Sequence, residues 1–154
     1  MKIYINFIHF IILFFYCSIF FSPSISLAES EEDIKEIAVV VNPKNPIVSL
    51  TSKQVSDIFL SRRRTFPSGE TVMVLEQERD GAIREKFFSL VNGMNLKRLN
   101  AYWTRLQFSG EIQPPPVMSD STAMKNVVKD NVNAIGYLPS KYVDESVRVI
   151  LLLK

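Results

Sequence analysis

An α/β domain, with a largely parallel sheet flanked by helices, is what three features of this sequence predict. Short apolar runs at 37–41, 72–75, 133–137 and 147–153 read as strands. Stretches whose apolar residues recur at three- and four-residue spacing stand between them, the mark of helices with one buried face. Turn signals, among them Asn42-Pro43 and Asn92-Gly93, separate the two kinds of segment. Strands alternating with helices point to a layered sheet with ligands gathering where strands end and helices begin.

The chain has 154 residues, and the first 28 differ from the rest. Lys2 gives a basic start, residues 3–21 are almost wholly apolar, and Ser26-Leu27-Ala28 offers small residues for cleavage. This is a secretory signal peptide pattern, cleaved near Ala28, which makes the mature protein periplasmic or secreted. The apolar run exceeds the usual ~7–15 residues, so an uncleaved membrane anchor is the alternative. Tyr16 before Cys17 is too bulky for a lipoprotein signal. Residues 29–36 form a flexible acidic segment, and 37–154 a single domain with a modest core.

Of the 18 Lys and Arg only Lys2 lies in the leader, and none of the 16 Asp and Glu does, so 17 against 16 leaves the mature chain at +1. Such a balance gives no reason to expect nucleic acid as a partner. The single cysteine, Cys17, and the single histidine, His9, also fall in the leader. A mature chain without either has no Cys nucleophile, no His base, no disulfide and no Cys/His metal site. No catalytic residue, cofactor or metal is therefore expected, and a hydrolase is the weakest of the readings.

The elements follow in order. Residues 37–41 (IAVVV) make a buried strand that Asn42-Pro43 ends. In the helix at 50–60, Thr51 and Gln54 form a capping box and Leu50 and Val55 a hydrophobic staple. Arg62, Arg63 and Arg64 then stand in a loop as secondary basic candidates. After the strand at 72–75 comes a charged turn and a helix whose core face is read as Ile83, Phe87, Leu90 and Val91. Gly93 stops it in the left-handed conformation. Asn95 caps a third helix, with Leu96, Leu99, Trp103 and Leu106 along one stripe and Trp103 in the core. Residues 108–116, closed by three prolines, cannot be helical. Ser119, Asp120 or Ser121 caps a fourth helix carrying Met124, Val127 and Val128. The last strand, VRVILLL, is apolar enough for a central place.

The turn at 77–84 is the leading candidate site. Asp80 stands where it can cap the helix, and Gly81 and Ala82 give its first turn little side-chain bulk. Unpaired N–H groups and the positive end of the helix dipole favour an anion there. Ile83 completes the first turn, while Arg79 and Arg84 bracket it with guanidinium groups suited to a two-point grip on an oxyanion.

The segments VNPKNPIVSLTSKQVSDIFLSRRRTFPSG and NAIGYLP resemble periplasmic phosphate-binding proteins, and AYWTRLQFSGEIQPPP is similar to a segment of their small single-domain relatives. The resemblance spans roughly 37–149. It implies a single lobe of the periplasmic-binding-protein type that binds phosphate or a similar small anion, weakly or with a partner. A membrane transporter or sensor protein is the partner it implies. In the phosphate-binding members a Ser-Gly-Thr at the helix start donates hydroxyl hydrogen bonds, and Gly81, Ala82 and Ile83 align with it. Each lost hydrogen bond to a charged group is worth ~1.5–3 kcal/mol, so two cost about two to four decades of affinity. The alternative is an interaction or sensory accessory module that keeps this fold without a ligand.

Overall fold

The computed structural model describes residues 34–79, 81–110 and 112–154. The expected leader, 1–28, and the first part of the acidic segment lie outside the described residues. Four strands, β1 (Ile37–Val41), β2 (Met73–Val74), β3 (Ala134–Pro139) and β4 (Arg148–Leu153), form one sheet in the order β2-β3-β1-β4. Among the described residues four α-helices accompany it: α1 (Ser52–Phe59), α2 (Ala82–Asn92), α3 (Leu96–Phe108) and α4 (Ser121–Asp130). The α/β class is as expected. Among the described residues no helix is long and apolar enough to cross a membrane.

The sense of the sheet corrects the expectation of mostly parallel strands. β1 pairs antiparallel with both β3 and β4, and only β2 and β3 run parallel. The cause is the link 140–147, which carries the chain across β1 so that β3 and β4 flank it in the same direction. That link holds a short 3₁₀ turn, Ser140–Tyr142, in place of a crossover helix. β4 is correspondingly an edge strand rather than a central one, with Val149 and Leu152 exposed. Its pairing with β1 skips Ile150 at a bulge, and the Ile150 carbonyl accepts from Leu50 N–H at 3.2 Å. The interior strands are β3 and β1, and every residue of both is buried.

β1 divides the core by strand alternation. Ile37, Val39 and Val41 face a cluster with Val55, Ile58 and Phe59 of α1, Phe87, Phe88 and Val91 of α2, and Leu99 and Trp103 of α3. Ala38 and Val40 face Met124 and Val128 of α4, with Val147 of the crossover alongside. Order reaches back beyond the expected start of the domain: Ile34 is buried, and the Glu36 carbonyl accepts from Ser140 N–H.

Local chemistry sets the helix ends as expected. Thr51 and Gln54 make the capping box of α1, Asn95 accepts from Arg98 N–H at the start of α3, and Asp120 accepts from Ala123 N–H at the start of α4. Gly93 ends α2 at φ 70°. Trp103 lies in the core, 3% exposed. The stripe of α2 is turned from the one expected: Arg84, Phe87, Phe88 and Val91 are buried, while Ile83 and Leu90 are half-buried. Aromatic packing turns it, because Phe87 stacks on Tyr137 at 3.8 Å and 7° and meets Phe59 and Phe88 edge-on.

Candidate functional site

Past β2 the chain keeps its extended course. The Glu76 N–H donates to the Pro116 carbonyl, and the Glu76 carbonyl accepts from Met118 N–H, at 2.9 and 2.8 Å. Alternation sends Leu75 to the α4 side of the sheet and Glu76 to the other, where Tyr137 of β3 and Arg84 of α2 meet it. Glu76 is 4% exposed and Arg84 3%. Arg84 Nε stands 3.4 Å from Glu76 Oε2. Glu76 Oε1 accepts from the Tyr137 hydroxyl and, at 3.0 Å, from Gln77 N–H. Gln77 Nε2 donates to the Tyr137 carbonyl at 3.0 Å.

Arg84 is held by other groups of the fold, although its Nε and Glu76 Oε2 face each other without a hydrogen bond. Its Nη1 donates to the Arg79 carbonyl at 2.7 Å and to Asn100 Oδ1 at 3.0 Å, and its guanidinium lies over the Phe88 ring. Burial pushes the Glu76 carboxyl above the usual carboxylate range, against the opposing pull of the Arg84 charge and the Tyr137 hydroxyl. Burial, followed by the Glu76 charge, holds the Tyr137 phenol well above the usual tyrosine range. The cluster ties the end of β2 to β3, α2 and α3.

The candidate residues therefore separate. Arg84 is an internal ion-pair partner, and Arg79 is exposed with its carbonyl held by Arg84. Both line a cavity of about 20 Å³ beside Trp103, room for a water molecule and little more. Gly81, Ala82 and Ile83 are half-buried and do not line that cavity. Gly81 is the N-cap of α2 and supplies no side-chain hydrogen bond. Asp80 lies outside the described residues.

The three loop arginines also separate. Arg62 stands 3.7 Å from Asp57 and over the Tyr102 ring at 5.8 Å. Arg63 and Arg64 are exposed and line an open cleft of about 550 Å³ between their loop, the edge of β2 and Pro114, Pro115 and Pro116. No carboxylate is among the described residues lining it. Sequence reading misses Glu76, Tyr137 and Asn100, and gives Gln77, the first residue of its candidate turn, no role. For Glu76 a signal existed, since period-two alternation from Leu75 places it on the face opposite Leu75.

No protein-family model and no curated protein sequence matches the chain. Solved structures do. A protein from Clostridium perfringens described as a phosphate ABC transporter substrate-binding protein, with phosphate bound, matches at 25% identity with a TM-score of 0.59. An ABC-type phosphate transport receptor from Vibrio cholerae matches at 24% identity and 0.58. PstS from Borrelia burgdorferi shares the fold at 11% identity and 0.57. Each match takes in 74% of this chain but only 43%, 44% and 46% of the respective neighbour. The chain thus has the fold of rather less than half of a phosphate-binding receptor, and its structural neighbours are binding proteins.

Proposed function

We propose that this domain is an extracytoplasmic solute-binding lobe that holds a small oxyanion, phosphate first, at the N-terminal turn of α2. The carrying observation is that α2 begins at a glycine without a side-chain cap, whereas α1, α3 and α4 are each capped by a side chain. Its first N–H groups lack intrahelical partners and point out along the helix axis. Arg79, exposed beside the turn, supplies the countercharge. The likeness to a phosphate-bound receptor supports phosphate as the first anion to try.

Binding by this lobe alone is weak. A helix terminus contributes about 0.3–1 kcal/mol and one charged hydrogen bond about 1.5–3, which together give a Kd of about 1 mM or weaker. A partner that closes over the turn, a membrane transporter or sensor protein, is what raises the affinity. The test is a phosphate titration of the protein followed by amide NMR. Shifts concentrated at Ala82, Ile83 and Arg84, and lost in Arg79→Ala, are expected. Unmoved amides at about 20 mM phosphate would refute the site.

A further inference from the structure

The edge of β2 is paired at both ends and open between them. Met73 and Leu75 donate their N–H groups to Asn133 and Ile135, at 2.8 and 2.9 Å, so the backbone of Val74 points the other way, out of the sheet. On that outer side the Val72 N–H is taken by the Arg64 carbonyl at 3.0 Å, and Glu76 is paired with Pro116 and Met118. Val74 N–H and C=O, midway, have no partner among the described residues. From Val72 to Glu76 the gap is about 13 Å long at ~3.3 Å per residue. It opens into the cleft of about 550 Å³, with Arg63 and Arg64 at the Val72 end and Pro114 to Pro116 opposite.

We propose that this gap receives the extended C-terminal end of a partner polypeptide, added as a short strand to β2. Three observations select that occupant. Val74 presents one donor and one acceptor in the same direction, the pair that a single residue of an antiparallel strand satisfies by exchanging both hydrogen bonds. A fully ionised oxyanion offers acceptors alone and leaves the Val74 carbonyl unmatched. Closure of the gap at Arg64 and at Pro116 excludes a long strand running through and leaves room for about three residues. Arg63 and Arg64, exposed and in no ion pair with a described residue, supply the charge for an α-carboxylate. Because they lie at the Val72 end, the incoming chain runs antiparallel to β2. Ile58, Met73 and Ile112 offer apolar surface to its side chains. The inference is independent of phosphate binding at α2.

The probe is acetyl-Ala-Val-Val with a free C-terminal carboxylate, titrated into the protein and followed at the Val74 amide by NMR. Two controls accompany it: the same peptide amidated at its C-terminus, and one N-methylated at its middle residue. The free acid is expected to shift the Val74 amide, and each control to bind at least about tenfold more weakly. Arg63→Ala with Arg64→Ala is expected to abolish the preference for the free acid over the amide while leaving the unfolding midpoint in place. No shift at Val74 up to about 10 mM peptide, or equal binding of all three peptides, would overturn the proposal. Phosphate alone is read at the α2 amides and not at Val74, so failure of one site does not imply failure of the other.

Discussion

Replacing Arg84 with methionine separates a structural arginine from a ligand-binding one. The substitution keeps the length of the buried stem and removes the charge facing Glu76. The Glu76 side chain is 5% exposed and keeps two donors, the Tyr137 hydroxyl and the Gln77 N–H, but loses its cation. The Arg79 carbonyl and Asn100 lose a donor as well. Removing one member of a buried pair costs about 3–5 kcal/mol, and the two donors left on Glu76 place the loss near about 3. The sign with pH follows from burial. A carboxyl whose folded pKa is raised stabilises the fold below its unfolded pKa, and that contribution fades as pH rises through the folded value. In the wild type the Arg84 charge limits the rise; without it Glu76 moves further up. The deficit of Arg84→Met, measured by urea unfolding, is therefore expected to be smallest at acid pH, where Glu76 is protonated, and to grow as the pH rises and Glu76 ionises. Glu76→Met combined with Arg84→Met is expected to recover most of it, since an apolar pair leaves no buried charge. An unchanged midpoint in Arg84→Met, or a deficit flat with pH, would refute the buried pair.

Other substitutions test the packing. A Cβ at Gly136 would collide with Met124 Sδ and come within 3.1 Å of Met124 Cγ and 3.3 Å of Val128 Cγ2. Gly136→Ala should thus cost about 1–3 kcal/mol by denaturant unfolding, eased by Met124→Ala in the same chain. Trp103→Ala should cost about 3–5 kcal/mol, and an unchanged midpoint would show that its burial adds nothing. Thr51→Ala, which removes the cap of α1, should cost about 1 kcal/mol. Intact mass of the exported protein is expected to begin near Glu29, and a mass retaining residues 1–28 would establish the anchor instead.

What could be read from the sequence was what is decided locally. Thr51 and Gln54 lie three residues apart, so their capping box needs nothing beyond its own turn. Gly93 and Asn95 are equally self-contained. Trp103 is legible as a core residue because the helical period around it is regular. Sheet order was not legible, for it depends on the link 140–147 crossing β1, and short apolar strands read alike at the edge and in the middle. Nor were Asn42 and Asn45, which read as turn residues. Asn42 Nδ2 donates to the Val128 carbonyl at 3.2 Å and Asn45 Nδ2 to the Val132 carbonyl at 2.7 Å, tying the end of β1 to the end of α4 and the turn after it.

Arg84 shows the same limit at the candidate site. Beside Arg79, Gly81 and a helix start, an arginine reads as an anion grip, because each of those neighbours is in sequence contact with it. Its actual partner, Glu76, is also only eight positions away, but their meeting depends on Tyr137, more than fifty residues on. Strand β3 brings the Tyr137 hydroxyl to Glu76 and its ring to Phe87, and Phe87 in turn sets how α2 is rotated. With α2 held that way, Arg84 faces inward and Ile83 turns partly out. The charge that a local reading assigns to a ligand is thereby spent inside the fold. What α2 retains for an anion is its backbone and Arg79, while Arg63 and Arg64 stand apart at the edge of β2. For the proposed phosphate site at α2, an affinity in the millimolar range or weaker is what that division predicts.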